Sequence, residues 1–239
     1  LPAVGKVFLV GAGPGARDLI TVRGARLLGE ADVVLYDALV TPEMLELCAQ
    51  AVLIPVGKRA GQRSAAQEHI NAQLVDCARQ YARVVRLKGG DPMLFGRADE
   101  ELTALEAAGI DVEVVPGITT AVAAAAAARQ PLTKRGVARS VAFFTSSTAP
   151  GEDDLAAIPS TDTLVQYMGG REAIATAQRL LAQGRRPETP VLVLENVSRP
   201  DERIARITLA QLALGLDTPH GPVLVMLGEA MAARAQQPT

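Results

Sequence analysis

Short apolar runs recur along the 239-residue chain at intervals that leave room for a helix between them. Val7–Val10, Val33–Tyr36, Val52–Pro55, Val84–Leu87 and Val112–Val115 are each rich in Val, Ile or Leu, the pattern of strands buried on both faces. Between them, Leu19–Gly29, Gln67–Gln80 and Glu100–Ala108 carry apolar residues at helical spacing. This β-α-β rhythm predicts an α/β fold with a mostly parallel sheet covered by helices. A second series follows, with strands at Val141–Phe144, Thr163–Tyr167, Val191–Leu194 and Val223–Leu227 and helices at Ala173–Gln183 and Leu209–Leu214. Arg203–Ile207 adds a candidate antiparallel strand after the turn-like Arg199-Pro200-Asp201. Pro116-Gly117 breaks the chain just before the alanine-rich Ala121–Ala128, which suggests two α/β domains, 1–116 and 117–239. The halves share a style and no motif.

Composition narrows the function classes. Hydrophobic residues make up 49% and charged residues 21%, the mixture of a soluble globular protein. Aromatics are 3% and Trp is absent, which argues against a base-stacking nucleic-acid platform; a net charge of −2 argues against a polybasic arm. No apolar stretch approaches the ~20 residues of a membrane span, and no signal-peptide arrangement opens the chain, so the cytoplasm is the expected compartment. Cys48 and Cys77 are isolated, and His69 and His220 are the only histidines, so neither a metal site nor a His-based nucleophile relay is expected. Of the 24 cations 20 are Arg, a bias that fits either a GC-rich genome or bidentate recognition of carboxylates and phosphates.

After the first strand comes Gly11-Ala12-Gly13-Pro14-Gly15-Ala16, with Asp37 about 20 residues further on. The dinucleotide fingerprint is formally satisfied, but Pro14 removes a backbone donor where a pyrophosphate would need one. Three readings stand here: NAD or FAD, a purely structural turn, or another nucleoside cofactor.

Further segments favour the third. Val85-Arg86-Leu87-Lys88-Gly89-Gly90-Asp91-Pro92-Met93-Leu94-Phe95-Gly96-Arg97, Val115-Pro116-Gly117-Ile118-Thr119-Thr120-Ala121 and Pro131-Leu132-Thr133-Lys134-Arg135-Gly136, with Val10–Gly15, resemble the tetrapyrrole methylases. Gly57-Lys58-Arg59-Ala60-Gly61, Gln67-Glu68-His69-Ile70-Asn71, Tyr167-Met168-Gly169 and the segment Glu195–Arg203 look like the members that methylate uroporphyrinogen III. The resemblance runs from about Lys6 to Glu229. It implies two α/β domains with an active-site cleft between them, a homodimer, and S-adenosylmethionine as methyl donor, leaving S-adenosylhomocysteine, with no metal. The implied reaction methylates C2 and then C7, giving precorrin-1 and precorrin-2 for siroheme, cobalamin or haem d1. Another precorrin methylase is the nearest alternative, and a nucleotide-dependent oxidoreductase the more distant one.

By that resemblance Pro14, Gly89, Gly90, Asp91, Thr119, Thr120, Met168, Asn196 and Val197 line the cofactor pocket. Asp91 could instead bond only its own turn, and Met168 could fill core. The substrate would carry eight carboxylates, so cation-rich 57–97 and 129–139 are candidate contacts, with Lys58, Arg59, Lys134 and Arg135 foremost; solvated helix faces explain such runs equally. Arg97, Glu100 and Asp37 occupy positions that the family uses catalytically. A guanidinium with pKa above about 12 is a poor base, so Arg97 reads better as an anchor for a substrate carboxylate, oriented by Glu100. Asp37 could meet pyrrole N–H groups and favour charge forming on the ring. Ala98-Asp99, Lys134 and Ser146-Ser147 depart from the family pattern of Gly-Gly, His and Gly-His, which bears on substrate choice.

Overall fold

A computed structural model of the chain describes residues 4–56, 63–146 and 157–234. It divides into two compact units, Leu1–Thr119 and Thr120–Thr239. In the first, β1 (Lys6–Gly11), β2 (Val33–Tyr36), β3 (Val52–Pro55), β4 (Arg83–Lys88) and β5 (Val112–Val115) form one sheet. Its order is β3-β2-β4-β1-β5, with every pairing parallel. Helices α1 (Val22–Glu30), α2 (Pro42–Leu45), α3 (Arg63–Gln80) and α4 (Ala98–Ala107) supply the cover.

The continuous apolar runs arise because successive side chains of a strand point to opposite faces, and both faces are covered. Phe8 and Val10 of β1 pack with Leu27, Leu28 and Met44, whereas Val7 and Leu9 pack with Leu74, Ala78 and Leu105. The run Val52–Pro55 is an exception to the predicted burial, since Val52 is 48% and Leu53 39% exposed. β3 lies at the sheet's edge beside β2 alone. α1 starts where Thr21 Oγ1 accepts from the Gly24 N–H. α2 is an element that the periodicity did not suggest. Cys48 and Cys77 are buried free thiols, and burial pushes both above their ordinary pKa.

The second unit has a mixed sheet, in which the antiparallel strand expected at Arg203–Ile207 is present as Arg203–Thr208. β6 (Val141–Thr145), β7 (Thr163–Tyr167), β8 (Pro190–Glu195), β9 (Arg203–Thr208) and β10 (Val223–Leu227) stand in the order β6-β7-β10-β8-β9. Only β6 and β7 pair in parallel; the other three pairings are antiparallel. Residues 196–202 between β8 and β9 are too few for a parallel crossover, which takes about a dozen or more, so the sheet turns back on itself. Its helices are α5 (Thr120–Ala127), α6 (Gly170–Ala182) and α7 (Leu209–Leu214), the last opened by a reciprocal capping box between Thr208 and Gln211. Ala173, Ala177, Leu180, Leu209 and Leu212 cover one sheet face. Among the described residues no helix is long and apolar enough to cross a membrane.

Candidate functional site

In the first unit β1 lies between β4 and β5, so the chain reverses its direction of travel through the sheet there. In open parallel α/β sheets ligands settle beyond the carboxyl ends of strands at such a reversal. Three loops meet at that edge: 11–15 after β1, 89–92 after β4 and 116–119 after β5. They are joined backbone to backbone. Gly13 N–H donates to Gly90 C=O at 3.1 Å, Gly90 N–H returns a bond to Gly13 C=O at 2.7 Å, and Ala12 N–H donates to Lys88 C=O at 2.7 Å. A Cβ on Gly117 would stand 2.2 Å from the Gly90 carbonyl oxygen, and one on Gly11 would stand 2.6 Å from Gly117 Cα. Glycine is therefore required at both positions by contact with backbone.

This geometry bears on the dinucleotide fingerprint. The Gly13 N–H is already bonded, Pro14 has none, and the chain next makes a 3-10 turn at Arg17–Leu19 before α1 begins at Val22. At Gly13 and Pro14 the loop thus offers no free N–H to a pyrophosphate.

Asp91 fastens the same junction. Its Oδ1 accepts from Met93 N–H at 2.8 Å and its Oδ2 from Gly117 N–H at 2.9 Å. Asp91 therefore bonds its own turn and the loop after β5 together. Pro14 is buried, while Gly89, Gly90 and Thr119 are half-buried around the junction. Thr120, Met168, Asn196 and Val197 belong to the second unit. Met168 has φ of +53° and is 51% exposed, so it is not a core filler. Asn196 also has positive φ; its Nδ2 donates to Asp201 Oδ2 at 2.7 Å, and Val197 beside it is buried. Next to them, burial pushes the Glu195 carboxyl up, but Arg203 at 2.6 Å and the His220 N–H outweigh it and hold the group below its ordinary pKa.

The charged residues divide sharply. Arg97 directly precedes α4 with φ of +54° and grips Glu100 through two bonds, Nε to Oε1 and Nη2 to Oε2, both 2.8 Å. This fork orients the guanidinium at the surface. Asp37 Oδ1 accepts from Leu39 N–H, and its Oδ2 lies 3.9 Å from Arg86 Nη1. Lys134 and Arg135 are exposed on a tight turn closed by Lys134 and Ala138, and neither makes an ion pair among the described residues. Lys58 and Arg59 lie outside the described residues.

The cations of 57–97 whose side chains are described each have an acidic partner. Arg79 pairs with Asp76, Arg83 with Glu30, and Arg97 with Glu100. Arg86 and Lys88 are buried, and both meet the fully buried Glu101, at 3.0 and 2.8 Å. Lys88 Nζ also donates to Gly96 C=O at 2.5 Å, and Gln67 Nε2 reaches Glu101 Oε1 at 3.4 Å. Burial, aided by Arg86, lowers the Lys88 pKa against the opposing pull of Glu101. This cluster was not singled out from the sequence. Its signal was available: Arg86 and Lys88 flank Leu87 directly after Val84-Val85, and a cation buried in such a run requires an acid. Among the described residues no group of three or more His, Cys, Asp or Glu is placed to hold a metal ion.

Siroheme synthase 1 of Yersinia pseudotuberculosis serotype I (strain IP32953) is 48% identical over 231 residues, 95% of this chain and 49% of that protein. The chain spans about half the length of the curated relatives it matches. Among solved structures, uroporphyrin-III C-methyl transferase from Thermus thermophilus complexed with S-adenyl homocysteine is 40% identical, with 98% of this chain and 96% of that one covered and a TM-score of 0.85. Cobalt precorrin-4 methyltransferase, a cobalamin biosynthetic enzyme, is 29% identical, with 95% and 96% covered and a TM-score of 0.80. The family model for tetrapyrrole (corrin/porphyrin) methylases matches residues 6–213, which take in the loop junction, the whole first sheet and every strand of the second but β10, and the chain belongs to that family.

Proposed function

We propose that the protein is an S-adenosylmethionine-dependent C-methyltransferase that converts uroporphyrinogen III through precorrin-1 to precorrin-2 by methylation at C2 and C7. The observation that carries this reading is the nearly end-to-end likeness, at 40% identity, to the uroporphyrin-III methyltransferase solved with S-adenyl homocysteine. The lower identity to the precorrin-4 enzyme makes a related porphyrinoid the second choice.

The loop junction suits the donor. Loops 11–15, 89–92 and 116–119 contain one acid, Asp91, and no cation, so they present bare backbone rather than a site for pyrophosphate. Such an edge fits a neutral adenosine joined to a positively charged sulfonium. The donor supplies an electrophilic methyl group whose departure disperses that positive charge. The work left to the chain is to hold an electron-rich pyrrole carbon in line with the sulfur–methyl bond. Pro14, Gly89, Gly90, Asp91 and Thr119 in the first unit, and Thr120, Met168, Asn196 and Val197 in the second, are the proposed cofactor residues. Asp91 acts by fixing the loops, since both its carboxylate oxygens already accept backbone N–H groups. Arg97 anchors a substrate carboxylate, held in orientation by Glu100. Asp37 faces the pyrrole N–H groups, and Lys134 and Arg135, unpaired among the described residues, with Lys58 and Arg59, take further carboxylates. The proposed setting is a cytoplasmic homodimer.

Calorimetry against S-adenosylhomocysteine and NADH tests the cofactor, and incubation with uroporphyrinogen III and S-adenosylmethionine, read by absorbance of the oxidised products, tests the reaction. Binding of NADH without response to S-adenosylhomocysteine would overturn the whole reading. Cofactor binding without methylation of uroporphyrinogen III would transfer it to the related porphyrinoid.

A further inference from the structure

Phe95 and Arg97 both hold left-handed backbone, at φ of +52° and +54°, on either side of Gly96. Two such residues in one turn are costly for side-chain-bearing positions and persist only where surrounding structure fixes them. What lies under this turn is the buried ammonium of Lys88, which donates to the Gly96 carbonyl at 2.5 Å. That ammonium is in turn held by Glu101 at 2.8 Å, and the other oxygen of Glu101 meets Arg86 Nε at 3.0 Å. Arg86 then reaches towards Asp37, with Nη1 at 3.9 Å from Oδ2. A chain of alternating charges therefore runs from the loop after β2, beneath β4, to the turn that carries Arg97. Gly96 closes the fit from above, since a Cβ there would stand 2.9 Å from the Pro92 carbonyl and 3.1 Å from Lys88 Cε.

We infer that the buried Arg86–Glu101–Lys88 chain is a positioning strut that sets Asp37 and the Arg97 turn in one fixed geometry for methyl transfer. Lys88 and Glu101 are positioning residues and touch no reacting atom. The cluster's charges support this. Glu101 alone leaves one excess positive charge among three buried groups, and the half-buried Asp37 balances it. An exposed pair could stabilise the fold as well at no desolvation cost, whereas a buried one specifies a single arrangement. The inference rests on the proposed role of Arg97, and the test separates the two.

The experiment is a double-mutant cycle in the full chain with Lys88→Met and Arg97→Ala, both assayed for kcat, KM and S-adenosylhomocysteine affinity. Lys88→Met removes the tether to Gly96 and leaves Arg86 shared between Glu101 and Asp37. It should lower kcat by about 10- to 100-fold, as a misplacement near 1 Å does, while cofactor affinity stays within about threefold. Hydrogen exchange should quicken in the peptide spanning 92–97. In the Arg97→Ala background Lys88→Met should cost no further activity. Multiplicative losses would overturn the strut and leave the anchoring role of Arg97 standing. Full activity of Arg97→Ala would overturn that anchoring role and the strut with it. If Lys88→Met does not fold, Gly96→Ala takes its place, since it presses on Lys88 and the Pro92 carbonyl from the opposite side. The same pattern across the cycle is expected, and multiplicative losses again overturn the strut.

Discussion

Gly117→Ala tests the backbone junction at the carboxyl ends of β1, β4 and β5. The new Cβ would stand 2.2 Å from the Gly90 carbonyl oxygen, whereas such a contact relaxes only beyond about 3.3 Å. The two loops must separate by about 1 Å. Gly117 is not among the residues with positive φ, so contact alone sets the penalty. Separation strains two bonds, Gly13 N–H to Gly90 C=O and Gly117 N–H to Asp91 Oδ2. With about 1 kcal/mol for each and 1–3 kcal/mol for overpacking, the loss should be about 3–5 kcal/mol. That is a large share of the ~5–15 kcal/mol that holds a typical domain. Urea unfolding followed by far-UV circular dichroism should show the midpoint falling by about 1–3 M. Gly29→Ala is the internal control: it lies in α1 with its nearest neighbour, the Leu47 carbonyl, at 4.0 Å. There the same change should stabilise by about 0.5–1 kcal/mol. A Gly117→Ala midpoint equal to that of the parent, with Gly29→Ala raised as expected, would refute the claim that the loops are locked.

Arg97→Lys should keep S-adenosylhomocysteine affinity in calorimetry but lose most turnover, because an ammonium does not reproduce the fork held by Glu100; unchanged turnover would reject the anchor. Gln130→Ala should destabilise the second unit by about 2–3 kcal/mol in urea melts, since the buried amide donates to the carbonyls of Ala230 and Ala232 and accepts from Arg206. The Asp162 carboxyl sits below its usual pKa because the backbone N–H of Arg139, then the side chain and N–H of Ser140, bond its charged form. A depressed folded pKa gives stability that is present above the unfolded value and lost as pH falls through the folded one. The gap in melting temperature between the parent and Asp162→Asn should therefore be widest at neutral pH and close below about pH 4; a gap that grows in acid would contradict it.

How much of this was legible in the sequence depended on whether the deciding contact was local. β2, β3, β5, β7 and β10 match their apolar runs because strand character is written in adjacent residues. The exposure of β3 was not legible, since position in the sheet is set by pairing with β2 and not by Val52 or Leu53 themselves. The antiparallel strand after the short 196–202 link was legible because that link is local, whereas the antiparallel pairing of β10 with β7 and β8 joins segments distant in sequence. In the site, Gly11, Gly13, Gly90 and Gly117 were conspicuous, but their purpose became clear only when three loops distant in sequence met. Arg86 and Lys88 were counted only as part of the cation-rich run 57–97, because a count of charges carries no burial.

The strand order has a consequence for synthesis on the ribosome. β10, the last strand of the second unit to be made, lies at the centre of its sheet, between β7 and β8. Until residues 223–227 emerge, the β6–β7 and β8–β9 pairs lack the strand that joins them, and the edges of β7 and β8 that β10 covers have no partner. The first unit has all its strands by residue 115 and can fold while the second is still being made. Late insertion of one apolar strand thus closes both edges at once, which makes the interval just before it the moment when this chain is most exposed to aggregation and to holdase chaperones.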